Sequence, residues 1–305
     1  MDSTTILEMI REQYPIKAVG LKFMRDGGSL SYTLFAEDKC YFLKIVKPAF
    51  YETALNAANV HTYLQNKGFA VPPLVHARNG LPYILEKGPD GNQITLLYEF
   101  IVGDEVDPEL DAEKIGETLG RFHSVMKDYA DPLVKRDKFF FIDRYIQLLR
   151  KKRYPRAEEF QLYGNQLWEK VKDLPQGYCH GDMYRGNIHK TLDGKLFILD
   201  LDTSCHAFPV YDAVLICNMT DYFKFNPGGY DQTRGVFKRF LTTYTKHCSV
   251  SRAEADAFFD LIAVYHFQLQ ATIIEMYGLT CVDETFLDNQ LDWLYKWREQ
   301  CALND

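Results

Sequence analysis

The residues that could do chemistry are concentrated in one stretch, Gly177-Tyr178-Cys179-His180-Gly181-Asp182-Met183-Tyr184-Arg185-Gly186-Asn187, and in the run Leu196-Phe197-Ile198-Leu199-Asp200-Leu201-Asp202. Between them lies Asp193-Gly194, a turn dipeptide flanked by apolar segments, which predicts a hairpin. Asp182, Asn187 and Asp200 then converge from a loop, a loop end and a strand end. Carboxylate and amide oxygens suit a hard divalent cation such as Mg²⁺. A further carboxylate can orient a hydroxyl and accept its proton. Such a grouping suits phosphoryl transfer, whose rate comes from positioning and from neutralising the charge that develops.

The spacing His180-x-Asp182-x-x-x-x-Asn187 is that of a kinase catalytic loop. Together with Leu199-Asp200-Leu201-Asp202 it resembles the aminoglycoside phosphotransferase and choline kinase-like family, a branch of the protein-kinase-like fold. Members carry Gly where protein kinases usually have Arg, and Asp-x-Asp in place of Asp-Phe-Gly; Gly181 and Asp200-Leu201-Asp202 follow that usage. The resemblance runs from about Val19 to Tyr277. It implies an α+β, bilobal fold, with a small antiparallel-sheet nucleotide-binding lobe over residues 1–98 and a mainly helical lobe over 99–305. It further implies ATP as co-substrate in the cleft, Mg²⁺ held by Asn187 and Asp200, and Asp182 as the base. His180 is expected to hold the loop, and Asp202 to support the metal shell or meet the acceptor. A metallophosphoesterase would need more His and carboxylate ligands around two metals. No histidine here follows an Asp by two residues and no Gly-Asn-His occurs, so that reading is set aside.

The elements that must position these groups can be read in order. Residues 6–13 form an amphipathic helix pattern. Leu21-Lys22-Phe23, Ser31 to Phe35 and Cys40 to Ile45 read as three antiparallel strands, separated by Gly27-Gly28-Ser29 and Glu37-Asp38-Lys39. The first connection could cover ATP phosphates, with Ser29 or Ser31 as a contact. Lys44 in the third strand resembles the kinase lysine that pairs with the α- and β-phosphates. A helix from Tyr51 to Lys67 ends at Gly68. The family usually places there a Glu that pairs with the strand lysine; residues 57–59 hold no acid, and Glu52 is the substitute. Strands at 83–86 and 94–100 are split by the turn 88–91. The second leads into Tyr98-Glu99-Phe100-Ile101-Val102-Gly103, which resembles the hinge whose backbone, around Glu99 and Ile101, reads adenine. Helices follow at 111–127, 140–152, 158–173, 209–222, 231–246, 252–277 and 283–301. His123 reads as structural, and Asp212 resembles a family carboxylate that braces the catalytic loop.

Composition narrows the class. The 305 residues are 47% hydrophobic and 25% charged, ample for a packed core. A net charge of −7 argues against a general nucleic-acid binder. The seven cysteines show no Cys-x-x-Cys pair and indicate neither a disulfide framework nor a zinc site. The first residues are acidic with no signal-peptide core, and no apolar run approaches the ~18 residues of a membrane span. A cytoplasmic protein acting on a small-molecule hydroxyl acceptor, without nucleic-acid or membrane partners, is the expectation; the sequence gives no oligomeric state. Asp221, the aromatic run 222–225 and Glu275 are candidates for the acceptor site. The intact set Lys44, Asp182, Asn187 and Asp200 favours an active kinase over the alternatives, a non-catalytic nucleotide-binding relative or a Ser/Thr protein kinase of the same fold.

Overall fold

The computed structural model describes residues 2–88 and 91–304. The chain divides into two compact units, one of Met1–Val106, Asp128–Asp131 and Arg185–Ser204, the other of Asp107–Lys127, Pro132–Tyr184 and Cys205–Asp305.

In the first unit, the three expected strands are β1 (Ala18–Asp26), β2 (Ser29–Ala36) and β3 (Cys40–Val46). They are joined by β4 (Ile84–Gly88) and β5 (Gly91–Glu99) in a fully antiparallel sheet of order β1-β2-β3-β5-β4. The turn expected at 88–91 falls partly on residues 89 and 90, outside the described residues. Side chains alternate across the sheet. Tyr41, Leu43 and Ile45 enter one core with Ile6, Ile10 and Tyr14 from the region of α1 (Ser3–Gln13), while Val46, Leu96 and Tyr98 enter a second core with Ala54 and Ala58 of α2 (Tyr51–Asn66). Lys44 therefore lies on the α2 side of β3. Helix α2 ends as predicted, with Gly68 at φ 69°, a left-handed conformation that glycine adopts without a Cβ clash. The Asp193-Gly194 hairpin is present. It joins β9 (Ile188–Lys190) to β10 (Leu196–Ile198), and the short β6 (Asp104–Glu105) pairs with β9.

The second unit is mainly helical: α3 (Pro108–Met126), α4 (Arg144–Lys151), α5 (Ala157–Val171), α6 (Pro209–Cys217), α7 (Gly229–Tyr244), α8 (Arg252–Tyr277) and α9 (Glu284–Ala302). A small sheet of β7 (Val134–Lys135), β11 (Cys205–Ala207) and β8 (Gly177–Cys179) feeds the catalytic stretch. Helix ends shift by up to three residues from expectation, α3 beginning at Pro108 rather than 111, and two differ in kind or by more. The segment Phe139–Asp143 is a π-helical turn before α4. Helix α6 stops at Cys217 rather than near Tyr222, because the amides beyond it find other acceptors: Met219 N donates to Thr233 Oγ1 (2.9 Å) and Thr220 N to Asn218 Oδ1 (3.2 Å).

Helices α3 and α7 meet backbone to backbone. A Cβ at Gly116 would stand 2.2 Å from the carbonyl oxygen of Phe240, and one at Gly120 would stand 2.8 Å from that of Tyr244. By length and composition α8 could cross a membrane, contrary to the sequence expectation, yet 61% of its most apolar window is buried inside the protein, as in the core helix of a globular domain.

Candidate active site

Within the first unit, Lys44 is 5% exposed, and its ammonium donates to Asp200 Oδ1 at 3.0 Å and to Asp202 Oδ2. Desolvation pulls the lysine pKa down, but the charges and hydrogen bonds of Asp202 and Asp200 pull harder, and the net direction is up. Burial raises the Asp202 carboxyl, with Lys44 opposing. The ion-paired form is the one this geometry holds, because the ammonium lies against both carboxylates. Glu52 is not the partner of Lys44. It sits exposed in the first turn of α2, where an acid complements the helix dipole, and makes no ion pair among the described residues.

Asp200 has φ 52° and is one of only two non-glycine residues with positive φ among the described residues. Such a conformation is sparsely populated and persists where surrounding structure enforces it. Just before it, Leu199 N donates to the carbonyl of Asn187 at 2.9 Å, so the backbone ties the amide residue to the carboxylate strand. Asn187 is buried. Asp202 Oδ1 is buried and accepts no hydrogen bond, a state that costs free energy unless a cation or water fills the gap. The carboxylates of Asp200 and Asp202, the latter with its orphaned oxygen, are hard oxygen donors of the kind that fits Mg²⁺, an ion that keeps waters and takes further ligands from substrate phosphates. Among the described residues no group of three His, Cys, Asp or Glu side chains is arranged to hold a metal.

The remaining nucleotide-side expectations are placed as follows. Ser29 is buried on β2, its hydroxyl 3.4 Å from that of Ser31. Glu99 ends β5 in an ion pair with Lys39, and its backbone N–H donates to Pro73 at 2.9 Å. Ile101 is half-buried in the irregular segment that follows.

In the second unit, Asp212, fully buried in the first turn of α6, gathers the catalytic loop. Its Oδ2 accepts from the backbone N–H of His180 (2.6 Å) and from His123 Nε2 (3.0 Å), and its Oδ1 from the N–H of Gly181 (2.9 Å). With Nε2 donating, His123 Nδ1 accepts from the Tyr244 hydroxyl at 2.8 Å, the satisfied structural histidine expected. Gly181 turns the chain at φ 81°. The Asp182 N–H then donates to His180 Nδ1 at 3.3 Å, so His180 holds the loop through an acceptor nitrogen.

Two tyrosines escaped the sequence reading. Tyr211 and Tyr265 pack edge to face with centroids 5.9 Å apart. Burial first, and the Asp182 charge as well, push both hydroxyls upward. The Tyr211 hydroxyl is buried without a hydrogen-bond partner. The Tyr before Asp212 was visible in the sequence, whereas Tyr265 lies on a helix with no motif. Asp221 and Glu275 are accounted for structurally. Asp221 Oδ1 accepts from Phe223 N (2.8 Å) and Lys224 N (3.2 Å), closing a turn, and Glu275 pairs with Arg144 at 2.8 Å.

A model of the phosphotransferase enzyme family matches residues 25–248. No curated protein matches the chain. Among solved structures, it is similar to amicoumacin kinase hAmiN in complex with AMP-PNP, Ca²⁺ and Ami, at TM-score 0.76 and 18% identity over 98% of this chain and 94% of that one. It is also similar to a microcompartment-associated aminopropanol kinase (TM-score 0.69, 14% identity, 98% and 96% covered) and to choline kinase LicA from Streptococcus pneumoniae (0.60, 15%, 98% and 98%). At these identities the likeness establishes a shared fold: an antiparallel sheet in the N-terminal part and helices in the C-terminal part.

Proposed function

Because the chain belongs to the phosphotransferase enzyme family, we propose that it moves the γ-phosphoryl group of Mg·ATP to a hydroxyl of a small molecule. The observation that carries this reading is the buried Lys44 held between Asp200 and Asp202, with an unpartnered oxygen left on Asp202. A cation buried beside two carboxylates is costly to build for stability alone. It is useful where phosphate oxygens and a metal must be received together.

In this reading Lys44 contacts the α- and β-phosphates. Asn187, Asp200 and Asp202 supply oxygen ligands for Mg²⁺. When bound, that ion neutralises charge on the phosphoryl oxygens. Asp182 orients the acceptor hydroxyl and takes its proton late in the transfer. His180 and Asp212 keep Asp182 in place through the loop backbone. Ser29 is a phosphate contact, and the backbone at Glu99 and Ile101 reads the adenine. Amino alcohols, aminoglycosides, sugars and homoserine-like alcohols form the acceptor class.

The test is ADP release from Mg·ATP against a panel of such alcohols. An acceptor that stimulates wild-type turnover should lose that stimulation by several orders of magnitude in Asp182→Ala, with Mg·ATP affinity largely kept. Asp200→Ala should instead weaken Mg-dependent nucleotide binding. Wild-type turnover in Asp182→Ala would remove the assigned base. Absence of any nucleotide binding by the wild-type protein would remove the whole reading.

A further inference from the structure

The β1–β2 hairpin carries a cation that the proposed function has not used. Its Arg25 Nη2 lies 3.3 Å from Asp200 Oδ2, on the oxygen opposite the one that Lys44 holds. The register explains how it arrives there. Arg25 pairs with Ser31, and Ser31 with Lys44, so the three residues form one row across β1, β2 and β3. Residues directly opposite one another in a sheet share a face. Arg25 reaches this row through an irregularity in β1, where Phe23 pairs with Tyr32 and Arg25 with Ser31, leaving Met24 as the extra residue. A bulge of this kind re-aims the side chain that follows it. In a regular strand Met24 would occupy the row.

Charge then decides what Arg25 does. The two cations Lys44 and Arg25 balance the two carboxylates Asp200 and Asp202. At Asp200, Lys44 and Arg25 would both compete with a divalent ion for the same carboxylate. Lys44 keeps a second partner in Asp202, whereas Arg25 has Asp200 as its sole ion-pair partner among the described residues. Arg25 is also the more accessible one, with its side chain 59% exposed against 6% for Lys44. The incoming Mg·nucleotide is a net anion, so the released guanidinium has a polyphosphate to meet.

We propose that Arg25 is a phosphate clamp, which exchanges Asp200 for the terminal phosphate of the bound nucleoside triphosphate and so favours triphosphate over diphosphate. The guanidinium fork suits two phosphate oxygens at once. This proposal rests on the function proposed above.

The test is equilibrium binding by calorimetry, with Mg·AMP-PNP and Mg·ADP as probes, on the full chain. Arg25→Ala should weaken Mg·AMP-PNP about 10-fold and Mg·ADP less than about 3-fold, the size expected for one exposed charge-assisted contact. Arg25→Lys should fall between wild type and Arg25→Ala, since it keeps the charge and loses the fork. Thermal melting should be unchanged in both. Unchanged or tighter Mg·AMP-PNP binding in Arg25→Ala would overturn the clamp, the latter by showing a latch that only blocks Asp200. Equal weakening of both nucleotides would also overturn it. If the wild type binds and the variant is unaffected, only the clamp falls; if the wild type binds neither probe, the proposed function falls with it.

Discussion

Replacing Asp212 by Asn separates the bracing of the catalytic loop from the chemistry that the loop is proposed to carry. The carboxylate accepts three hydrogen bonds, at 2.6, 2.9 and 3.0 Å, in a fully buried position. Asn has one acceptor oxygen. In its best orientation that oxygen replaces Oδ2 and retains the His180 N–H and His123 Nε2, leaving the amide NH₂ against the N–H of Gly181. The loss is one hydrogen bond to a charged group, about 1.5–3 kcal/mol, plus a buried unsatisfied donor of about 1–3 kcal/mol. Stability measured by urea denaturation should therefore fall by about 2.5–6 kcal/mol, with the native state still populated. Gly181 precedes Asp182 directly, so its displacement moves the proposed base. Misplacement on the scale of an ångström costs about 100-fold in rate. Turnover should fall by about 10- to 100-fold while KM for ATP stays within about 3-fold, since Lys44 and Asp200 stand on other elements. A stability loss below about 1 kcal/mol with unchanged turnover would refute the bracing role. An equal rise in KM for ATP would show that the loop serves nucleotide binding instead.

Two further outcomes follow from burial and from close approach. His61 and His266 are buried neutral, their pKa values lowered by desolvation to about 4 and about 3. Folded pKa values below the unfolded value of about 6.5 mean that their stabilisation is present above pH 6.5 and lost as pH falls towards 4 and 3. Each should cost about 1 kcal/mol of stability between pH 6.5 and 5.5. His61→Gln should flatten the pH dependence of urea denaturation by that amount, and an unaltered slope would contradict the assignment. On the α3–α7 seam, Gly116→Ala should lower the melting temperature sharply, because its methyl meets a backbone carbonyl. Gly235→Ala, with nothing within 4 Å in the same helix α7, should raise stability by about 0.5–1 kcal/mol. If the two glycine variants behaved alike, the close approach would be disproved.

What the sequence made legible is what local physics determines. Helix α8 begins at Arg252, after a Ser251–Glu254 capping box, and ends at Tyr277 before Gly278, as its pattern predicts. The Asp193-Gly194 hairpin follows from its turn residues. Asp182, Asn187 and Asp200 stand out in the sequence because their spacing is short and chemically specific. The partner of Lys44 was not, because Asp202 lies 158 residues away and the pair is set by tertiary folding. Expectation placed a helix acid there, and Glu52 was the nearest acid to hand. Arg25 escaped for a similar reason: one extra residue in β1 decides which side chain faces Lys44, and nothing in Met24-Arg25-Asp26 announces a bulge. The end of α6 was overrun because the competing acceptor, Thr233, sits on α7.

The glycine seam between α3 and α7 has a bearing on how freely this molecule could be altered. Gly116 and Gly120 are one turn apart on α3, and His123 follows three residues later on the same helix, while Tyr244 closes α7. Spacing between the two helices is thus set by main chain against main chain, and the Tyr244–His123–Asp212 chain of hydrogen bonds inherits that spacing. A gauge made of backbone does not change when side chains around it are exchanged. Residues on the exposed faces of both helices can be rewritten, for solubility or for a new acceptor, without resetting the position of the carboxylate beneath the loop. The tolerance is one-sided: a single methyl group in the seam meets main chain, which cannot turn aside as a flexible side chain can.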